Sequence, residues 1–426
     1  MSNFRIEGAP IYNFDARVLN RATARTLPCG IPVYHIGGNT MNVVRIDFLF
    51  DAGSMYQNDK LVPQHCLSLL REGSENYSAS GIADILDYHA VFSELSFNRN
   101  KAGMGFYIDI ASAAKVLPAI TDFIFKPTFP QNELDVFNQN SFQKLKIEFE
   151  KVKFLAEKRI FSKIYGLEHP LGAEIEPNDV FNVTRTQMME FHRLHYSTGN
   201  CCIVVAGDTS EDLLNMLNEA LYPFCIDEIS QIAKPEYSIK SSRDKFEYIQ
   251  KPSATQAAIR MACLIDYDSF ADYHMLKVLN TLLGGYFGSR LMKNIREDKG
   301  LTYGIGSSVQ LSEGKALFSI SAEVAGNMWQ EALNEINFEL KSLSEMPISD
   351  EELNLVKKTM LGDKLAMFDG AFASSAVFRS LLEAGLDYTF VEDSIHAIHQ
   401  ADENRLKTIA SSMLQPEKMT VVVAGP

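Results

Sequence analysis

Apolar residues alternate with polar ones, or run together, in a set of short stretches that read as strands. A short lead strand near Ile31–Ile36 is followed by VVRIDFLFDAGS (Val43–Ser54), GFYIDIAS (Gly105–Ser112) and CCIVVAGD (Cys201–Asp208). Later come QAAIRMACLIDY (Gln256–Tyr267), LFSISAEV (Leu317–Val324) and TVVVAGP (Thr420–Pro426). Longer amphipathic stretches lie between them: AKVLPAITDFIF, FPQNELDVFNQNSFQKL, MWQEALNEINFELKSL and ISDEELNLVKKTMLGDKL. The second and fourth of these open on Pro or Ser plus acidic residues, as helix N-termini do.

These stretches form two ordered sets. The Val43 strand matches the Gln256 strand, and GFYIDIAS matches LFSISAEV, each of the latter two followed by a helical pattern. FPQNEL matches ISDEEL, and CCIVVAGD matches TVVVAGP. Four matches in one order imply a duplicated unit. The polar, Pro/Ser/Lys-rich run Gln231–Ser242 reads as the linker. The expected organisation is therefore a lobe over residues 1–230, a linker over 231–242 and a lobe over 243–426. SELSFNRN and GMGFYIDI look like antiparallel neighbours, and no regular βαβ alternation is present. The fold class is α+β: two similar lobes, each an antiparallel-rich mixed sheet packed against helices on one face.

Composition narrows the function. The 426 residues exceed one ordinary core. A formal net charge of −14 argues against nucleic acid or anionic membrane as a partner, because phosphate contacts need clustered Lys and Arg. The six cysteines show no C-x-x-C pair and read as free thiols. No apolar run reaches a membrane span, and the N-terminal stretch lacks a basic region followed by an apolar one. A cytoplasmic location is expected.

The segment GSMYQNDKLVPQHCLSLLREGSENYSAS (Gly53–Ser80) carries the most specific chemistry, together with IYGLEHPLG, FHRLHYSTGNCCIVVAGD and HMLKVLNTLLGGYFGSRLMKNIREDKGLTYGIGSS. In this ordered set the chain resembles the insulinase/pitrilysin-type (inverted zincin) metallopeptidases. It resembles in particular the zinc-less, Arg/Tyr-bearing subunit of bacterial heterodimeric members, and is similar to mitochondrial processing peptidase subunits. The family carries H-x-x-E-H, two zinc ligands around a general base. The matching residues are His65, Cys66, Leu67, Ser68 and Leu69, so the base and one ligand are replaced. The counterpart of the family's third ligand falls near Gln143–Lys146, which holds no acid. His65 is then vestigial and no cofactor is expected in this chain.

The resemblance implies two lobes enclosing a cavity. It also implies that Arg296 and Tyr303, in IREDKGLTYGI, stabilise an oxyanion in the site of a homologous zinc-bearing partner. It further implies that the strand within Ala90–Asn98, with Ser93, Glu94, Leu95 and Ser96, pairs with extended peptide substrate. The expected function is the non-zinc subunit of a heterodimeric peptidase. The alternative is an inactive scaffold or peptide-binding homologue.

Other chemistry-bearing residues read as structural. His192/His195 and His396/His399 have i, i+3 spacing but no third ligand, and His169 reads as a loop residue. Ser68 and Cys66 lack the elbow and orienting acid of a covalent nucleophile. LGGYFGSR (Leu283–Arg290) has no phosphate-loop spacing and reads as a tight turn between helical segments.

Overall fold

A computed structural model describes residues 19–38, 42–207, 210–225 and 232–426. Residues 1–18, on which the expectation about a leader rests, lie outside it, as do Asp208 and Gln231. The first half holds β1 (Thr23–Thr26), β2 (Pro32–Ile36), β3 (Val43–Phe50), β4 (Phe92–Phe97), β5 (Ala102–Asp109) and β6 (Cys201–Ala206). Its helices are α1 (Val62–Ser68), α2 (Ala79–Tyr88), α3 (Ala113–Phe125), α4 (Gln131–Phe149), α5 (Val152–Tyr165), α6 (Arg185–His195) and α7 (Glu211–Leu221). The second half holds β7 (Phe246–Gln250), β8 (Gln256–Ile265), β9 (Thr302–Ser312), β10 (Lys315–Ala325) and β11 (Thr420–Gly425). Its helices are α8 (Phe270–Asn280), α9 (Trp329–Glu345), α10 (Asp350–Ala366), α11 (Gly370–Ala384), α12 (Tyr388–Gln400) and α13 (Glu403–Met413).

The first sheet runs β1-β2-β6-β3-β5-β4 and the second β7-β11-β8-β10-β9. After β1 the two orders correspond. Each starts with a parallel pair (β2/β6, β7/β11) and continues with antiparallel neighbours. The sequence repeat thus corresponds to a repeat of topology, and the two-lobed α+β reading holds. One face of each sheet packs on its own lobe's helices. Val44, Ile46, Phe48 and Phe50 from β3 enter the first core with α3, and Ile259, Met261 and Phe318 enter the second with α8 and α9.

The expectation of helices on one face is corrected. The other face of each sheet is also covered, by a helix from the opposite half. Val152, Ala156, Ile160 and Ile164 of α5 pack on Ala258 and Ala262 of β8 and on Val422 of β11. Ala371, Phe372, Phe378 and Leu382 of α11 pack near Leu49 of β3 and Val204 of β6. The alternation in β3 misleads because Arg45 and Asp47 point to this second face and look like solvent positions. Both are in fact buried beneath α11.

Residues 232–245 hold no helix or strand and lie along α5. The Lys240 N–H donates to the Tyr165 carbonyl (2.9 Å) and the Ser242 N–H to that of Lys163 (2.7 Å). Between the lobes lies a cavity of about 400 Å³, lined by the hairpin turns Asn98–Asn100 and Ser312–Gly314 with Lys234 and Glu383. No single helix among the described residues is long and apolar enough to cross a membrane. The bent pair α10–α11 passes by length and composition only, and α11 is seated on the first sheet.

Candidate functional site

α1 starts beyond Leu61, whose φ of +70° is unusual for a side chain bearing a branched carbon, and carries Pro63 in its first turn. The Leu61 carbonyl accepts both the His65 N–H (2.9 Å) and the ring Nδ1–H (3.0 Å). Burial lowers the pKa of His65. Asn138 Oδ1 lies 3.1 Å from Nε2. Both ring nitrogens thereby have partners within the protein.

Asn138 lies on the inward stripe of α4 with Leu134, Phe137, Phe142 and Leu145. Phe137 stands edge-on to His65 with ring centroids 4.9 Å apart. Sequence spacing placed the facing residue near Gln143–Lys146, but Gln143 and Lys146 are exposed and Asn138 takes that position. The burial period of α4 was the signal that could have found it. Leu69 is buried in the core and Ser68 is half-buried. No group of three His, Cys, Asp or Glu side chains among the described residues is arranged to hold a metal. The residues present do not fit a catalytic zinc, which needs three protein ligands and an open position.

The paired histidines separate onto structural tasks. The His192 ring donates Nε2–H to the Ile124 carbonyl (2.8 Å), and His195 donates Nδ1–H to that of Asp51 (2.7 Å). His396 and His399 are exposed, and His169 is buried and stacked on Tyr165. Burial pulls His192 down to about 4. Burial, then Lys364 and Lys277, pull His274 down to about 4 as well. Both rings take up protons more readily in the unfolded chain, so their contribution is complete above about pH 6.5 and is lost as pH falls toward 4. The urea midpoint is expected to fall over that window, and His192→Phe to flatten part of the slope. A midpoint independent of pH from 7 to 4 would contradict this.

Arg296 and Tyr303 lie in the second lobe. Arg296 sits in a wide helical turn, Met292–Asp298, with its guanidinium carbon 4.8 Å from the centre of the Phe287 ring. Phe287 belongs to LGGYFGSR, which turns between this segment and a similar one at Thr281–Gly285. A Cβ on Gly284 would lie 2.6 Å from the Ser307 hydroxyl, so that turn can press against β9 only as glycine. Tyr303, at the start of β9, is 90% exposed. No hydrogen bond or ion pair among the described residues holds either side chain, and none joins them to His65 or β4.

Ser93, Glu94, Leu95 and Ser96 all lie on β4, the outer strand of the first sheet. The corresponding outer strand of the second sheet is β9, and the two edges differ. On β9 the carbonyls of Ser307, Val309 and Leu311 accept from Asn280 Nδ2 (3.3 Å), Lys277 Nζ (3.0 Å) and Arg99 Nη1 (2.7 Å). On β4 the main chain bonds only to β5 among the described residues. Two of its apolar side chains are open: Phe92 is 60% exposed and Leu95 50%. Ser93 Oγ accepts from Arg71 (3.1 Å), and Glu94 pairs with Arg45 (2.9 Å).

With this geometry in view, the relatives are informative. Residues 182–360 match the family model of the peptidase M16 inactive domain. That match covers less than half of the chain. An uncharacterized zinc protease of Mycobacterium leprae is 25% identical over 61% of this chain and 59% of its own length. A non-peptidase homolog, YmxG, of Helicobacter pylori is 20% identical over 70% and 68%. The crystal structure of a peptidase M16 inactive domain from Pseudomonas fluorescens shares the fold. It has a TM-score of 0.84 and 21% identity, over 95% of this chain and 98% of that one.

Proposed function

We propose that this chain is a zinc-less M16 homologue that binds extended peptide along β4 without cleaving it. The observation that carries the proposal is the open, apolar edge of β4 beside a capped β9. An unpaired strand edge gains main-chain hydrogen bonds from an added strand, and exposed Phe92 and Leu95 gain burial. Main-chain pairing needs no metal, so it survives the loss of the zinc ligands. The test is the affinity of a dye-labelled peptide digest of unfolded casein for wild type and Leu95→Glu, with binding lost in the variant.

A second reading is favoured by Tyr303 and Arg296. A phenol that is 90% exposed is not the hydroxyl-capped strand residue of a purely structural role. Tyr303 is open to a neighbouring chain, with Arg296 half-buried over Phe287 on the same lobe, and a homologous zinc-bearing subunit is the partner they would suit. Donors aimed at an oxyanion are worth ~3–4 kcal/mol each. If this chain completes such a site, Arg296→Ala and Tyr303→Phe each lower the kcat of the paired enzyme by about a hundredfold or more. Full activity of both variants would remove this reading and leave the peptide-binding one standing.

A further inference from the structure

Arg379 lies on α11, in the second half of the chain, yet its guanidinium reaches into the first sheet. Its Nη1 lies 2.9 Å from Asp47 Oδ1. The same carboxylate accepts Arg45 Nη2 at Oδ1 (2.9 Å) and Arg45 Nε at Oδ2 (2.9 Å). Arg45 Nη1 then lies 2.9 Å from Glu94 Oε2 on β4. Tyr107 bonds Arg45 through its hydroxyl and sets its ring centre 4.8 Å from the guanidinium carbon. The chain of contacts is buried until its last member: Asp47 is 1% exposed, Arg45 5%, and the Glu94 side chain 45%.

Two further observations show that the arrangement is specific. Gly105 on β5 sits opposite Asp47, and a Cβ there would lie 2.3 Å from Asp47 Oδ1 and 2.9 Å from Arg45 Nη2. The absence of a side chain at that position makes room for the ion pairs. The second lobe has no such chain among its described contacts. There Arg260 bonds Glu323 of its own sheet (2.6 Å), and the helix from the other half, α5, seats on alanines 258 and 262.

We propose that Arg379 is a positioning residue for the β4 edge. It fixes Asp47, Asp47 fixes Arg45, and Arg45 fixes Glu94, so the seating of α11 sets how rigidly β4 is held. A charge-assisted chain of this kind transmits because each member has one well-defined partner on either side. The functional consequence rests on the peptide-binding reading of β4; the coupling itself does not. In a two-lobed molecule it would make peptide affinity depend on how closely the lobes are docked.

The experiment is hydrogen exchange by mass spectrometry on the full chain without peptide. Arg379→Met is expected to raise exchange across Phe92–Phe97 about tenfold. β1, the other edge of the same sheet, serves as the reference and is expected to change little. Arg379→Lys restores most of the protection, because an ammonium still reaches the carboxylate. Glu94→Gln, which cuts only the exposed last link, loosens β4 while leaving the urea midpoint unchanged. Equal loosening of β1 and β4, or an unchanged β4 in Arg379→Met, overturns the proposal. Peptide affinity is measured on the same variants. If wild type binds no casein peptide, the reading of β4 as a binding edge fails, while the exchange comparison still decides the coupling.

Discussion

Asp47→Ala is expected to destabilise the chain by ~3–5 kcal/mol, read as a fall in the urea midpoint. One buried carboxylate here serves two guanidinium groups from different halves of the sequence. Removing it leaves Arg45 with the half-exposed Glu94 as its one carboxylate, beside Tyr107, and leaves Arg379 beneath the helix with no carboxylate bonded to it. Breaking a buried pair costs far more than the pair contributes, because the charge left behind has lost its water. Asp47→Asn is expected to cost less, since the amide oxygen still accepts. Replacing Arg45, Asp47 and Arg379 together by leucine is expected to recover much of the loss. A change below about 1 kcal/mol for Asp47→Ala would place the network at the solvated surface, where ion pairs contribute little.

Leu95→Glu is expected to lower peptide affinity at least tenfold while leaving stability nearly unchanged. Leu95 is half-exposed in the free chain, so folding depends little on it. A peptide strand laid against β4 would cover the remaining half, and burying a leucine fully gains ~1.5–3 kcal/mol. The glutamate loses that gain and must also shed water as the strand docks. Charged side chains at an edge are a means by which proteins keep further strands away. Gln310→Glu on β9 is the control, because that edge already has its carbonyls occupied. Equal losses in the two variants would mean that peptide binds elsewhere or through charge alone.

The duplication was legible because buried strands and amphipathic helices recur in one order; the strand order within each sheet came only with the structure. The pairing of SELSFNRN with GMGFYIDI was legible for the same local reason, and it is β4 against β5. The second layer over each sheet was not. The helix that buries Arg45 and Asp47 is over three hundred residues away in sequence, at Arg379. A charged residue at a strand's alternate positions reads as solvent-facing unless its partner is known. Likewise, the loss of the base and of one ligand beside His65 is visible in five consecutive residues, whereas Asn138 is seventy-three positions from His65. Its role depends on the angular position of α4, which spacing alone did not supply. Whether an edge is open is also a tertiary property. β4 and β9 carry similar strand patterns, but only the fold brings Lys277, Asn280 and Arg99 to the carbonyls of β9.

The most direct test of the account is to incubate the purified chain, with zinc supplied, with a defined pool of unfolded casein peptides and identify bound and free species by mass spectrometry. The account predicts that peptides co-elute with wild type intact, that Leu95→Glu retains few of them, and that zinc makes no difference. Zinc-dependent appearance of cleaved peptides from the isolated chain would contradict it.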